Sequence, residues 1–214
     1  MRPRSLAAAL ALALVAVPAG AQVPGLPVFN GGPKPGLTVA LDAGFPDEDA
    51  GGGNAFAGTV TWGKGPWMLT GTVGTFGPDD VDGGLTLGAT GNLQVLGGPL
   101  SPFGVTLQAG FGYGGLEGGD LYRAPIGASL AMVIPSPAVS LKPWIAPRLH
   151  LSQVSGAGAV EEDWSSNFGV SAGLDLYFIG GFGLRAAYDH VSGDDVSPGI
   201  FGVGLNYAFN IAGF

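Results

Sequence analysis

The sequence predicts an all-β protein: a closed antiparallel up-and-down transmembrane β-barrel, with ten strands expected and eight as the alternative. Three observations lead to this prediction. Segments in which apolar and small or polar residues alternate recur ten times, and the last, residues 199–209, alternates strictly. The chain begins like an exported protein, and most of its acidic residues fall in alternate connections. A barrel in lipid needs this alternation in every strand, because one face of each strand meets lipid and the other meets the lumen.

The first 21 residues have the layout of a secretory signal peptide. Arg2 and Arg4 precede an apolar stretch, residues 6–17, and residues 19–21 form an A-x-A-like cleavage site. We therefore predict cleavage after Ala21. The chain has no Cys, so we expect neither a lipid anchor nor a disulfide. No later apolar stretch reaches the roughly 18 residues that a transmembrane helix needs.

Residues 22–35 are rich in Pro and Gly and show no period. We predict that they form a short lead-in on the periplasmic side. The barrel is then expected to occupy residues 36–214.

The first five alternating segments each carry apolar residues on one face and mainly Thr, Ala, Gly, Asn or Gln on the other. A strand tilted by about 45° needs roughly 9–11 residues to cross the hydrocarbon layer, which suits the lengths found here. The eight-strand alternative applies if the second and third segments are not strands. The five segments are 37–45, 55–63, 67–76, 85–95 and 103–113.

The other five segments continue the pattern to the C-terminal region. Many of the ten segments carry an aromatic residue at an end of the apolar face, where the interfacial girdles of a membrane barrel belong. The five segments are 122–134, 139–152, 167–178, 182–190 and 199–209.

The connections differ in charge according to whether they follow an odd or an even strand. Of the 16 acidic residues, 13 fall in the five connections after odd strands, which contain no Lys or Arg. The connections after even strands are short or rich in Pro and Gly, and contain no acid. We expect the acidic loops to be extracellular and both barrel termini to be periplasmic.

The acidic loops are also candidate sites for Ca²⁺ or Mg²⁺, which prefer oxygen ligands. No EF-hand spacing is present, and the alternative is that these loops are simply solvated, mutually repelling surface segments. The candidate residues are Asp47, Glu48, Asp49, Asp79, Asp80, Asp82, Glu161, Glu162 and Asp163.

Seven charged residues fall on strand faces that the alternation predicts to be inward. Charges enclosed in a narrow barrel need partners, so we expect ion pairs that plug the lumen. The alternative is a narrow, weakly anion-preferring pore. The residues of this lumen charge network are Asp42, Arg123, Lys142, Arg148, Asp175, Arg185 and Asp189.

Residues 166–209 resemble the closing strands of the small outer-membrane barrels of the OmpA/OmpX-like (outer membrane protein beta-barrel domain) superfamily. The resemblance lies in a strand, a short turn, an L-R-x-x-Y-like strand (LRAAY), an acidic loop and a final strand ending in NYAF. It implies a monomer in contact with outer-membrane lipid and lipopolysaccharide. It also implies a C-terminal signal that the barrel-assembly machinery reads. This signal ends at Phe209 or, as the alternative, at Phe214. The signal residues are Phe201, Val203, Leu205, Tyr207 and Phe209.

Two enzymatic alternatives rest on partial resemblances. His150 and Ser152, with Glu161 or Glu162, are similar to the His, Ser and Glu of the lipid A deacylases (the PagL-like family). However, both His150 and Ser152 fall on the predicted inward face, which a lipid does not reach.

Asp80 and Asp82, with Asp189 and His190, are similar to the omptin proteases. However, the adjacent residues Asp189 and His190 must point to opposite sides of their strand.

The composition excludes some other functions. After Ala21 the chain has only six Lys or Arg, so we expect no nucleic-acid binding. The Gly-rich runs precede no predicted helix, so they are not phosphate-binding loops, and we expect no cofactor and no structural metal. The sequence therefore predicts a structural or surface scaffold that is not an enzyme.

Overall fold

The computed structural model describes residues 23–32, 34–79, 82–97, 101–116, 119–156, 164–193 and 196–209. The signal peptide predicted for residues 1–21 lies outside this range. The described residues form ten strands and one short 3₁₀-helix, Glu48–Ala50, and no helix long and apolar enough to cross a membrane. The strands are β1 (Gly36–Pro46), β2 (Asn54–Lys64), β3 (Trp67–Gly77), β4 (Gly84–Leu96), β5 (Phe103–Leu116), β6 (Gly119–Met132), β7 (Val139–Ser155), β8 (Ser165–Phe178), β9 (Phe182–Ser192) and β10 (Gly199–Phe209).

Neighbouring strands pair antiparallel in chain order, and β1 also pairs with β10. The register of this closing pair runs from Leu37 opposite Phe209 to Pro46 opposite Ile200. The sheet is therefore a closed ten-stranded up-and-down barrel. The ten-strand prediction is confirmed, and the eight-strand alternative is wrong because β2 and β3 pair along their whole lengths.

The alternation divides the side chains between the lumen and the outer surface. On β1, Leu41 is 70% exposed, whereas the next residue, Asp42, is 5% exposed. Val60 on β2 and Leu205 on β10 are likewise half exposed on the outer face. Such a continuous apolar outer surface is costly in water and suits contact with lipid.

Aromatic side chains mark both ends of the apolar surface. At the end carrying the connections after odd strands, which we call the acidic end, Phe45 stacks on Phe201 with 6.4 Å between ring centroids. At the opposite end, Tyr207 lies 4.9 Å from both Phe182 and Phe209. Phe201 and Phe209 are eight residues apart on β10, or about 20 Å along the barrel axis at a tilt of about 40°. This spacing is close to the height of an outer-membrane apolar band.

The strand boundaries differ from the prediction by three residues at the acidic ends of β5, β6 and β7. The connection predicted between β5 and β6, residues 114–121, is shorter because Gly114 and Gly115 continue the ladder and pair with Leu121 and Asp120. Asp120 is therefore a strand residue on the outer face, where its Oδ1 accepts a hydrogen bond of 2.7 Å from the Tyr113 hydroxyl.

The region preceding β1 differs from the prediction of a periplasmic lead-in. Residues 23–32, which we call the strap, are almost completely buried, with Val23, Leu26, Val28 and Asn30 between 1 and 4% exposed. The strap touches inward-facing residues on opposite walls of the barrel, so it lies inside the lumen. The prediction is wrong for these residues because their apolar side chains find partners in the lumen.

Candidate functional site

The strap crosses the lumen from the acidic end towards the opposite end. Gly25 lies beside Ala55 and Phe76, close to the acidic ends of β2 and β3. Gly32 lies beside Thr106 and near the Lys142 ammonium group, close to the opposite end. Because β1 begins at that opposite end, the chain runs down through the lumen and then turns back up into the wall.

Two apolar clusters hold the strap. Near the acidic end, Val23 and Leu26 pack with Ala55, Ala57 and Phe76. These wall residues come from β2 and β3, and all three face inward. The strap therefore covers apolar wall residues that a water-filled lumen would leave exposed.

The second cluster lies on the other side of the lumen, on β6, β7 and β9. Here Phe29 packs against the buried side chains of Ala131, Trp144, Ala146 and Ala187. Trp144 is only 4% exposed although it belongs to the wall. The strap thus fastens to both halves of the barrel through apolar contacts.

Polar and aromatic contacts add to these clusters. The side-chain NH₂ of Asn30 donates a hydrogen bond to the side-chain carbonyl of Gln108 on β5, and Oδ1 of Asn30 accepts one of 3.3 Å from the Gly32 N–H. The guanidinium of Arg185 lies over the Phe29 ring, 4.2 Å from its centroid. These contacts fix the position of the strap along the barrel axis.

Two wall glycines make room for the strap. A Cβ atom on Gly44 of β1 would lie 2.0 Å from the Gly25 carbonyl oxygen. A Cβ atom on Gly202 of β10 would lie 2.5 Å from Cδ of Pro27. The strap backbone can approach the wall this closely because these positions have no side chain.

Lys34 lies just beyond the strap, before β1. Its Nζ lies 2.9 Å from the centroid of the Tyr177 ring. Burial lowers the pKa of Lys34 from 10.5 to about 7; attraction to Asp175 opposes this shift, and repulsion from Lys142 and Arg185 adds to it. A titratable group therefore sits where the strap joins the barrel wall.

The predicted lumen charge network contains two ion pairs. Asp42 on β1 pairs with Arg185 on β9, whose Nε donates to Oδ1 at 2.7 Å and whose NH2 donates to Oδ2. The Thr59 hydroxyl donates to the same carboxylate at 2.9 Å. Both partners are largely buried, so the pair is shielded from water.

The second ion pair joins Arg148 on β7 to Asp189 on β9. The Ser171 hydroxyl on β8 lies between them, donating to Asp189 at 2.7 Å and accepting from Arg148 at 2.5 Å. All three side chains are buried. This pair ties three neighbouring strands together inside the lumen.

The remaining members of the predicted network are less closely coupled. Lys142 and Asp175 are register partners on β7 and β8, and Asp175 accepts a hydrogen bond of 2.5 Å from the Tyr177 hydroxyl. The Nε of Arg123 on β6 is buried without a hydrogen-bond partner among the described residues. The inward charges are therefore spread along β1 and β6–β9.

The wall on the other side is neutral and lined by small residues. Thr59 and Thr72 approach to 3.4 Å and Thr61 and Thr70 to 3.0 Å between hydroxyl oxygens. A cavity of about 90 Å³ separates part of this threonine wall from the strap. The strap therefore occupies the lumen but leaves a polar cleft beside this wall.

The acidic loops are organised by hydrogen bonds to backbone N–H groups. Oδ2 of Asp47 accepts from Gly199 N–H at 2.9 Å, and Oδ2 of Asp49 accepts from Ser197 N–H at 3.1 Å. These contacts fasten the β1–β2 loop to the β9–β10 loop.

Other acidic side chains in these loops, those of Glu48, Asp79 and Asp82, are exposed. Among the residues that the structure describes, no group of three or more His, Asp or Glu is arranged to hold a metal ion. The candidate cation-binding residues Asp80, Glu161, Glu162 and Asp163 lie outside the described part of the chain.

The residues of the enzymatic alternatives lie on the faces that the alternation predicts. His150 is 5% exposed on the lumen face, while its neighbour Leu149 is 47% exposed outside. The Ser152 hydroxyl lies 2.8 Å from the Ser165 hydroxyl, not beside His150 in an activated pair. Asp189 faces the lumen, where it pairs with Arg148.

The predicted assembly-signal residues form the outer face of β10. Phe201, Val203, Leu205 and Phe209 are all exposed there, and Tyr207 lies between the Phe182 and Phe209 rings. Phe209 ends the strand and pairs with Leu37. Phe214 lies outside the described residues.

The strap and its apolar contacts were missed at the sequence level, although two signals were present. Phe76, Met68 and Trp144 are large apolar residues at positions that the alternation places inward. The lead-in also contains apolar residues between its prolines, including Leu26 and Phe29. Apolar residues inside a barrel need an apolar partner, and the lead-in was the available segment.

Comparisons with known proteins give similarity at the level of fold. No known protein family and no curated protein matches the chain. The N-terminal β-barrel domain of Pseudomonas aeruginosa OprF is 15% identical over 81% of this chain and 96% of that domain, with a TM-score of 0.38. The outer membrane enzyme PagL is 15% identical over 80% of this chain and 99% of that chain, with a TM-score of 0.40.

The outer membrane protease OmpT from Escherichia coli is 9% identical over 82% of this chain and 94% of that chain, with a TM-score of 0.42. Two of these three neighbours are enzymes by name, and the third is a barrel domain. The similarity therefore assigns no activity. This chain is a closed ten-stranded antiparallel β-barrel, and its structural neighbours are small outer-membrane β-barrels.

Proposed function

We propose that this protein is a monomeric outer-membrane barrel whose lumen is closed by its own strap and by inward ion pairs. It serves as a membrane-embedded scaffold that presents acidic loops outside the cell, and it is not an enzyme. The observation that carries the proposal is the burial of residues 23–32 between opposite walls of the lumen.

The outer surface supports a membrane location. Its apolar side chains are exposed along every strand, and aromatic residues flank them at both ends. The partners that fit this surface are outer-membrane lipid and lipopolysaccharide. Two predictions favour the outer membrane over other membranes: the export signal predicted for residues 1–21, and the assembly signal predicted on β10, which ends at Phe209.

The position of His150 argues against the deacylase alternative. A lipid substrate moves along the outer surface, whereas His150 faces a lumen occupied by the strap. Leu149, which does face outward, has an aliphatic side chain that cannot act as an acid, a base or a nucleophile. A scaffold role needs only a stable barrel and its exposed loops, and both are present.

Planar-bilayer recording of the refolded mature chain tests the proposal. A heat-modifiable gel shift first establishes that the barrel has folded, and a general porin added at the end confirms that the bilayer reports channels. We expect a silent bilayer before the porin is added. Steady openings from fully folded, unmodified protein would contradict closure by the strap.

A further inference from the structure

We propose that the strap is a displaceable closure over an anion-preferring passage, so that the protein conducts when the strap leaves the lumen. This inference rests on the proposed function, in which the strap closes the barrel. It adds a second activity to the scaffold role and defines the class of permeant solute as small inorganic anions.

The strap is not part of the sheet. β1 pairs with both β2 and β10, so the barrel closes without any contribution from residues 23–32. The contacts described above between strap and wall are made through side chains and two close glycines. Displacing the strap therefore breaks no strand pairing, and the barrel can persist without it.

The strap occupies a space that is bounded on one side mainly by small side chains. The inward positions of β2 and β3 are mostly small, with Ala55, Ala57 and Gly74 near the acidic end and threonines below them. A cleft of about 90 Å³ already runs beside the strap, and removal of ten residues would join it to a much larger water-filled space.

The inward-facing charges of the barrel wall do not cancel. Among the described residues, the inward side chains include Arg123, Lys142, Arg148 and Arg185 against Asp42, Asp175 and Asp189, an excess of one positive charge. The threonine side of the lumen is neutral. Displacement of the strap also uncovers the face of the Arg185 guanidinium that Phe29 covers. A narrow, water-filled lumen with this balance favours anions over cations.

The test uses the full mature chain with the strap made releasable. Phe29→Asp places a charge in the second apolar cluster and weakens strap docking. Leu26→Cys and Ala57→Cys, both in the first cluster, are introduced as a cysteine pair to hold the strap in place, and the chain has no other Cys. Non-reducing electrophoresis must show that the disulfide has formed before the oxidised protein is recorded. The same molecule can therefore be recorded oxidised and then reduced.

We expect the oxidised variant to be silent and the reduced variant to show steady openings in KCl. In a KCl gradient, the reversal potential should move towards the equilibrium potential of chloride. Arg123→Gln, added to the same variant, removes the excess charge and should bring the anion-to-cation permeability ratio close to one. The Arg123 side chain is in neither ion pair, which makes it a suitable position for this change.

Two results overturn the inference: a reduced variant that is folded by gel shift but silent, or openings that prefer cations. If Phe29→Asp prevents folding, Phe29→Gln with the same cysteine pair replaces it and is read in the same way. Failure of the proposed function is a different result, because the unmodified chain would then conduct without any release of the strap.

Discussion

Asp42 and Arg185 are 143 residues apart in the chain, yet they form a two-point ion pair across the strand that separates them. Asp42 belongs to β1 and Arg185 to β9, and Gly204 of β10 is the register partner of both. A Cβ atom on Gly204 would lie 2.1 Å from Oδ1 of Asp42 and 2.9 Å from Nε of Arg185. The ion pair can pass over β10 because Gly204 has no side chain.

The first prediction concerns this glycine. Gly204→Ala should lower the free energy of unfolding by roughly 1–3 kcal/mol, because the methyl group displaces the ion pair in a packed lumen. The measurement is urea unfolding in lipid vesicles, followed by the gel shift. Gly58→Ala is the control: Gly58 faces outward with nothing within 4 Å of the added Cβ, so its effect should stay within about 0.5 kcal/mol.

The second prediction concerns the charges themselves. Asp42→Asn leaves Arg185 without its counter-ion in a largely buried position and should cost about 3 kcal/mol of unfolding free energy. Arg185→Gln in the same chain removes the orphaned charge. The double variant should therefore be more stable than the sum of the two single changes implies, as a double-mutant cycle would measure. Additive losses would show that the two side chains are not coupled.

The third prediction tests the two faces of one strand at adjacent residues. Val73 is 52% exposed on the outer face of β3, and Thr72 lines the lumen cleft. Val73→Arg should cost roughly 2–4 kcal/mol, because it places a charge in the middle of the apolar band. Thr72→Arg should cost less, since the cleft is polar. Equal losses in vesicle unfolding would contradict the assigned faces.

The fourth prediction is a pH dependence of strap docking. In the docked state the pKa of Lys34 is about 7, and in an exposed state it is 10.5, so docking releases a proton between these values. Stability of the docked strap should therefore rise with pH from about 7 to about 10 and level off outside this window. The groups that face Lys34 in this region are Asp175, Tyr177, Lys142 and Arg185.

Trp144 fluorescence reports this docking, because Trp144 belongs to the buried cluster against which Phe29 packs. The signal is isolated by replacing the other three tryptophans, Trp62, Trp67 and Trp164, with Phe. In Lys34→Met, the stability of the docked strap should no longer rise with pH. If it still rises, a group other than Lys34 is responsible for the pH dependence.

The fifth prediction concerns assembly. Phe209 ends β10 in register with the outer-face residues before it, whereas the positions at the same spacing before Phe214 hold Ala and Asn. Phe209→Ala should slow barrel folding in cells and leave more unfolded precursor on a gel. Phe214→Ala should have little effect. The reverse result would place the assembly signal at the chain end.

The sequence was sufficient for the barrel because the relevant signal is local. A strand with one face in lipid and one in the lumen must alternate along its own length, so each strand can be recognised without its neighbours. Leu41 beside Asp42 and Leu149 beside His150 lie on the faces that this rule predicts. The boundaries of β5 and β6 were less accurate, since glycines there extend the ladder beyond the apolar pattern.

The sequence by itself predicted ten strands with eight as the alternative, the orientation of their side chains and the separation of acidic from acid-free connections, and the pairing of β2 with β3 then excluded eight strands. Only the tertiary structure decided what fills the lumen and which inward charges pair. Those outcomes depend on distances across the barrel, between Phe29 and Trp144 or Asp42 and Arg185, that no local pattern records. The strap lies inside because closing the sheet creates an apolar interior wall, and residues 23–32 bury that wall better than water can.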